Sequence, residues 1–229
     1  MVRLLTIFNL AKLPGRLRRR LDRRSIHTAA VRGVRIRMRT VSRRERERVI
    51  SYATKEPGTL DWIDWVVKPG DVLYDIGANI GQYGIYAALR SERAVQVFCF
   101  EPESTNFAAL NANIALNSLS GVVTAYPIAM AGEERLDVLR VHGALSARQA
   151  LHQVGAASNA QPWAHAQGVM TTSLDERVFR HELPCPTHLK IDVDGLEPQI
   201  IEGAKRLLAD PRLKTLLIEI NQGDEAIRQ

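Results

Sequence analysis

The chain holds only two cysteines, Cys99 and Cys185, in 229 residues, which rules out both a disulfide framework and a zinc-binding pattern. No apolar run reaches the roughly 18–20 residues a membrane-spanning helix needs. The six histidines include no i, i+4 pair that would set two imidazoles on one metal. Neither a zinc finger nor an aromatic RNA-binding signature is present, so no specific nucleic-acid partner is expected. The apolar start is too short for a secretory signal and lacks a small-residue cleavage site. Cys99 lies inside the apolar run VQVFCF and reads as a buried structural thiol. A reducing, cytoplasmic setting fits these absences.

What is present is enough apolar sequence, 45%, to bury a core, and a divided charge. Residues 1–48 carry fifteen Arg and one Lys against one Asp and two Glu, a formal +13. The remainder carries 15 basic and 22 acidic residues, a formal −7. Residues 1–50 therefore read as a basic N-terminal arm, partly disordered, and 51–229 as a separate domain. Met1, Leu4, Leu5, Phe8 and Leu10 would form an apolar face ahead of the break at Pro14-Gly15. In VRIRMR, Val34, Ile36 and Met38 alternate with arginines at the period of a half-exposed strand. Three readings of the arm compete: contact with anionic lipid headgroups, contact with an acidic polymer, and a solvated leader with no partner.

From residue 59 the pattern alternates. TLDWIDWVV reads as a helix with Leu60, Ile63 and Val67 inward and Trp62 and Trp65 packed in the core or on a lid. VLYDI, VQVFCFE, VVTAYPIAM, THLKIDVDG and TLLIEIN read as strands. Residues 81–90, 104–117 and 197–209 read as helices, the second with Phe107, Ala108, Leu110 and Ile114 inward. RLDVLRV could add a short strand, and residues near 131–170 read as an insertion facing substrate. Such alternation implies an α/β protein with a mostly parallel, doubly wound, Rossmann-like sheet. Ligands in these sheets sit beyond the carboxyl ends of the strands. Four of the five ends carry a carboxylate: Asp75, Glu101, Asp192 with Asp194, and Glu219.

The turn DIGANIGQYG selects the ligand. Its glycines fall at 77, 81 and 84, unlike G-x-G-x-x-G, and no Lys follows as a Walker loop requires. A leading Asp75 would repel a pyrophosphate and attract a cation. S-adenosylmethionine, with an ammonium, a sulfonium and no phosphate, fits. Glu101 is placed to accept from both ribose hydroxyls, a geometry that NAD enzymes share. Asn106, near the next helix start, is placed to touch ribose or adenine.

The segments KPGDVLYDIGANIGQYGIYAA, FEPESTNFAALNANIALN, TTSLDE and LKIDVDGLEPQIIEGA, in order from about Lys55 to Asn221, resemble the FkbM-type family of S-adenosylmethionine-dependent methyltransferases. The resemblance implies a class I methyltransferase fold and O-methylation of sugar or secondary-metabolite hydroxyls. It places Asp75, Gly77, Asn79 and Gly81 along the methionine portion, Glu101 at the ribose, and Ile128 and Ala129 beside adenine. Two departures stand out: Asp194 replaces the family's usual Glu, and two further strands usual for the fold have no counterpart after TLLIEIN, so the C-terminal strands read as truncated.

Asp192 and Asp194 are the candidate bases for removing the acceptor's proton. His188 lies too early in its strand, and Lys190 is expected to pair with Glu219 or Asp192. Asp192 or Asp194 with Asn221 would make an oxygen site for a divalent cation, but the spacing is not diagnostic and no metal is expected. Asn111, Asn113 and Asn117 read as exposed helix or helix-end positions. The leading expectation is an O-methyltransferase acting on a sugar, glycolipid or related hydroxyl. Its rivals are an NAD(P) oxidoreductase, disfavoured by the glycine spacing, and a truncated, non-catalytic module that binds membrane or an acidic polymer through the arm.

Overall fold

The computed structural model describes residues 26–40, 43–141, 152–154, 165–193 and 195–219. The arginine-alternating segment is a strand. β1 (Ile26–Val31) and β2 (Val34–Arg39) pair as an antiparallel hairpin that buries Ile36 and Met38 and exposes Arg35, Arg37 and Arg39. Its two-residue turn needs positive φ at both positions, 48° at Arg32 and 85° at Gly33. Arg32 is held there by ion pairs to Asp61 at 2.7 Å and Asp64 at 3.0 Å. Helices α1 (Arg43–Lys55) and α2 (Pro57–Val66) follow, the second with Pro at its first turn, where no amide partner is lost. Val31, Ile36, Met38, Val49 and Tyr52 share one core cluster with Leu60, Ile63, Leu73 and Val97. Part of the basic stretch thus supplies core side chains.

Next come β3 (Val72–Ile76), α3 (Gln82–Arg90), β4 (Gln96–Phe100), α4 (Ser104–Leu116) and β5 (Val123–Tyr126). A second sheet is built from β6 (Ala129–Met130), β7 (Arg135–Val141), β8 (His152–Val154) and β9 (His165–Thr172), in the order β6-β9-β7-β8. The chain then returns through β10 (His188–Ile191), α5 (Glu197–Glu202), α6 (Lys205–Leu208) and β11 (Thr215–Ile218). The main sheet is parallel, in the order β11-β10-β3-β4-β5. The chain winds outward from β3 to β5 and then resumes on the other side of β3, so the switch point lies between β3 and β10. This is the doubly wound α/β architecture expected.

Both faces of the sheet are covered, which is why its strands read as continuous apolar runs. Leu73 and Val97 face the hairpin and the helices α1 to α4. Tyr74, Ile76, Phe98, Phe100, Leu189 and Ile191 face Leu174, Ile200 and Leu207. Cys99 is fully buried, as its run implied.

Several boundaries differ from the sequence reading. VVTAYPIAM is two strands in different sheets, because Pro127 interrupts it and cannot donate to a ladder. RLDVLRV is strand β7, and the insertion supplies β9, which pairs along all seven residues of β7. The helix expected over 197–209 is two short helices parted at Gly203. A Cβ there would lie 2.6 Å from the Ala131 carbonyl oxygen, so only glycine lets this segment pack so closely. Trp62 packs against the core and meets His188 edge-on at 6.1 Å, but Trp65 is 78% exposed. On α4, Ala109 rather than Ala108 is buried.

Asn117 caps the end of α4, as expected, and is buried there; Asn113 is buried too, against the exposed position expected. Asn113 Oδ1 accepts the Arg39 amide at 2.8 Å and its Nδ2 donates to the Ile80 carbonyl at 2.9 Å. Asn117 Oδ1 accepts the Arg37 amide at 2.9 Å and its Nδ2 donates to the Arg37 carbonyl at 2.7 Å. Two side-chain amides on one helix face therefore do what a neighbouring strand would do for β2. Among the described residues no helix is long and apolar enough to cross a membrane.

Candidate functional site

The glycine turn joins β3 to α3 at the switch point. Gly77, Asn79 and Gly81 all take positive φ, at 76°, 51° and 89°. A Cβ on Gly77 would fall 1.9 Å from the Asp192 carbonyl oxygen, so glycine there lets the β3 and β10 ends close on each other. A Cβ on Gly81 would fall 2.5 Å from Leu110 Cδ1. Asn79 accepts the left-handed conformation that Asn tolerates best, and its Oδ1 takes the Ile80 amide at 2.9 Å.

Glu101 ends β4 and ties that turn down. Its Oε2 accepts the Asn79 amide at 2.8 Å and its Oε1 accepts the Glu103 amide at 2.9 Å. Burial, at 3% exposure, pushes its carboxyl up to about 7 despite those amides. Oε2 keeps a lone pair free for a ribose hydroxyl. Beside it, Asn106 donates to Glu101 Oε1 at 3.5 Å, while the fully buried Asn106 Oδ1 has no hydrogen-bond partner among the described residues. A buried acceptor with spare capacity next to a carboxyl suits a ligand that brings hydroxyl or amino donors. The loop is braced by Glu103, which caps α4 through the Thr105 and Asn106 amides. Gln167 on β9 braces it too, donating to the Pro102 carbonyl at 2.7 Å.

A second constellation surrounds Lys190. This fully buried ammonium lies 2.8 Å from Asp192 Oδ2 and 3.4 Å from Asp75 Oδ1, over the Tyr83 ring at 5.1 Å. Burial opposes its charge, but the two carboxylates outweigh that and hold its pKa above the ordinary lysine value. Asp75 is buried and its carboxyl is raised by burial, although Lys190 and the Gly84 amide at 3.1 Å pull it back. Burial also pushes Asp192 up, yet Lys190 and the other partners of Asp192 bring it below the usual carboxylate range. Glu219, just past β11, hydrogen-bonds Asp192, and that bond above all pushes it up to about 7. Glu56, at the α1–α2 junction, brings a third carboxylate, so that oxygens of Glu56, Asp192 and Glu219 lie within 4.8 Å of one another. Tyr83 donates to Glu56 at 2.5 Å and Lys55 pairs with it at 2.5 Å.

The expected residues therefore fall into three places. Asp75, Gly77 and Asp192 meet at the switch point; Asn79, Gly81, Glu101 and Asn106 form the neighbouring turn and pocket. Ile128 packs on the second core cluster and Ala129 opens β6, one strand further out. Asp194 and Asn221 lie outside the described residues. Lys190 pairs with Asp192 as expected and with Asp75 as well, whereas Glu219 turns to Asp192. His188 sits at the opposite end of β10, between Asp71 at 3.0 Å and Thr215 at 2.8 Å. Sequence reasoning missed Glu56 and Tyr83. Glu56 carries no local signal beyond preceding a helix-opening Pro57.

A family model described as the methyltransferase FkbM domain matches residues 75–228. The 31-O-demethyl-FK506 methyltransferase FkbM of Streptomyces tacrolimicus is 26% identical over 186 residues, covering 70% of this chain and 69% of that protein. The hexuronic acid methyltransferase AglP of Haloferax volcanii is 26% identical over 153 residues, covering 67% of this chain and 57% of its own length. Among solved structures, methyltransferase FkbM from Methylobacillus flagellatus KT matches with a TM-score of 0.45 at 14% identity, over 64% of this chain and 32% of that one.

Proposed function

Because this chain belongs to the FkbM methyltransferase family, we propose that it moves the methyl group of S-adenosylmethionine onto a hydroxyl oxygen of a sugar, glycolipid or related metabolite. The observation that carries this reading is an ionised carboxylate, Asp192, held by a buried lysine beside the Gly77 turn, where a parallel sheet takes its ligand. Of the two curated relatives, the one named for a demethylated oxygen supports an oxygen acceptor, and the one named for a hexuronic acid supports a sugar-derived substrate.

When bound, the cofactor supplies a methyl carbon activated by a positive sulfur. Asp75, Gly77, Asn79 and Gly81 would line its methionine portion, Glu101 and Asn106 its ribose, and Ile128 and Ala129 its adenine. The acidic strand ends favour a cationic ligand. Alignment of hydroxyl and methyl lowers the entropic cost of the displacement. Asp192 takes the hydroxyl proton, a role worth about 10²–10⁴-fold in such reactions. Asp194, two residues on in the sequence, is the other candidate base.

Calorimetry with S-adenosylmethionine, S-adenosylhomocysteine and NAD tests the cofactor; the adenosyl ligands bind, NAD does not, and Glu101→Ala weakens binding about tenfold or more. Radiolabelled methyl transfer to a panel of glycosides then tests the acceptor, with Asp192→Asn lowering turnover about 10²-fold at saturating cofactor. A folded chain that binds neither adenosyl ligand sinks the reading.

A further inference from the structure

We propose that Asp192 and Glu219 act as one proton-accepting pair facing the transferred methyl, with Lys190 orienting Asp192 and Glu219 handing the proton to water. This rests on the methyltransferase reading above. The two groups follow adjacent parallel strands paired Ile191↔Ile218, and the Glu219 amide donates to the Ile191 carbonyl at 3.0 Å. That register sets both side chains at the same level, with oxygens inside a 4.8 Å cluster.

Exposure rises outward along the constellation. Asp75 and Lys190 are buried, the Asp192 side chain is 32% exposed, and Glu219 is exposed. A proton on Asp192 cannot leave inward, because the charged Lys190 blocks that side; Glu219 is the way out. Asp192 alone would be a poor base, since an ammonium 2.8 Å away stabilises its anion. A like-charged partner corrects this, because two adjacent carboxylates hold their last shared proton more tightly than either would alone. The raised Glu219 carboxyl agrees, placing the pair's last proton near neutrality, where a base works best. The other groups facing the pair are Asp75 on β3, Tyr83 on α3, and Lys55 and Glu56 at the α1–α2 junction.

In the step itself the acceptor O–H bond breaks and its proton passes to the deprotonated pair at Asp192. An O–CH₃ bond forms as S–CH₃ breaks, and that electron pair stays on sulfur as a neutral thioether. Glu219 then releases the proton to water.

A carboxyl ¹³C NMR titration of the full chain needs no acceptor. It is run alone, with S-adenosylhomocysteine and with S-adenosylmethionine, after calorimetry has confirmed binding. The Glu219 step is expected near pH 7 in the free protein. The sulfonium of S-adenosylmethionine should move it lower than the neutral thioether does, by about 0.5 pH or more. Asp192→Asn should return Glu219 toward the ordinary carboxylate range, and Glu219→Gln should abolish the step while Asp192 stays ionised. A Glu219 that titrates in the ordinary range, or steps equally with both ligands bound, overturns the pair. Failure of both ligands to bind overturns the methyltransferase reading instead, whatever the step.

Discussion

A carboxyl buried as deeply as Glu101 favours its protonated form in the folded state. Its folded value near 7 exceeds the unfolded value of about 4.3, so the folded protein binds the extra proton between those limits. The stability that this proton confers is complete below about pH 4.3 and is lost as pH rises through 7. It amounts to roughly 3 kcal/mol. Thermal unfolding at pH 5 and pH 8 should show that difference in the wild type and less of it in Glu101→Gln. Lys190→Met should cost about 3–5 kcal/mol by urea titration, because it leaves Asp75 and Asp192 without their buried countercharge. A Lys190→Met variant as stable as the wild type would show that this countercharge is dispensable. Asp75, Glu101 and Asp192 were legible because a parallel strand ending in an acid aims that acid at the ligand side. Glu56 was not, because a junction far away in sequence reaches the site only through tertiary packing.

Among the elements, the five parallel strands could be read directly, and β3, β4 and β10 are largely buried on both faces. Strand β2 was legible from alternation alone, whereas its partner β1 and the turn between them were not read. On α4 the burial of Asn113 was misread because asparagine is ordinarily a surface residue, and nothing local says that a strand's backbone will need its amide. The break at Gly203 was equally hidden, since the cause is a carbonyl in a distant segment. Asn113→Ala and Asn117→Ala should each cost about 0.5–2 kcal/mol, because each removes the acceptor of a part-buried amide of β2. Denaturant titration of both variants checks this, and a loss under about 0.5 kcal/mol would mean that water replaces the asparagine. Gly203→Ala should cost about 1–3 kcal/mol through the clash with Ala131.

At the scale of the whole molecule, charge is unevenly spread: +13 in residues 1–48 against −7 elsewhere. The full chain is expected to sediment with phosphatidylserine vesicles at low salt, to ignore phosphatidylcholine vesicles and to be released at about 0.5 M NaCl. Loss of binding to the anionic vesicles in the presence of excess RNA would point to an acidic polymer as the preferred partner. The asparagine pair on α4 has a consequence at this scale too. A strand with vacant amides and carbonyls along one side is a template on which another chain can add. Asn113 and Asn117 occupy the Arg37 amide and carbonyl and the Arg39 amide of β2 with side chains that cannot propagate a ladder, so the main chain of a second molecule finds fewer groups to pair with. Removing both should therefore do more than loosen the hairpin. It should raise self-association through β2 above that of the wild type, visible as concentration-dependent light scattering under conditions where the fold itself persists.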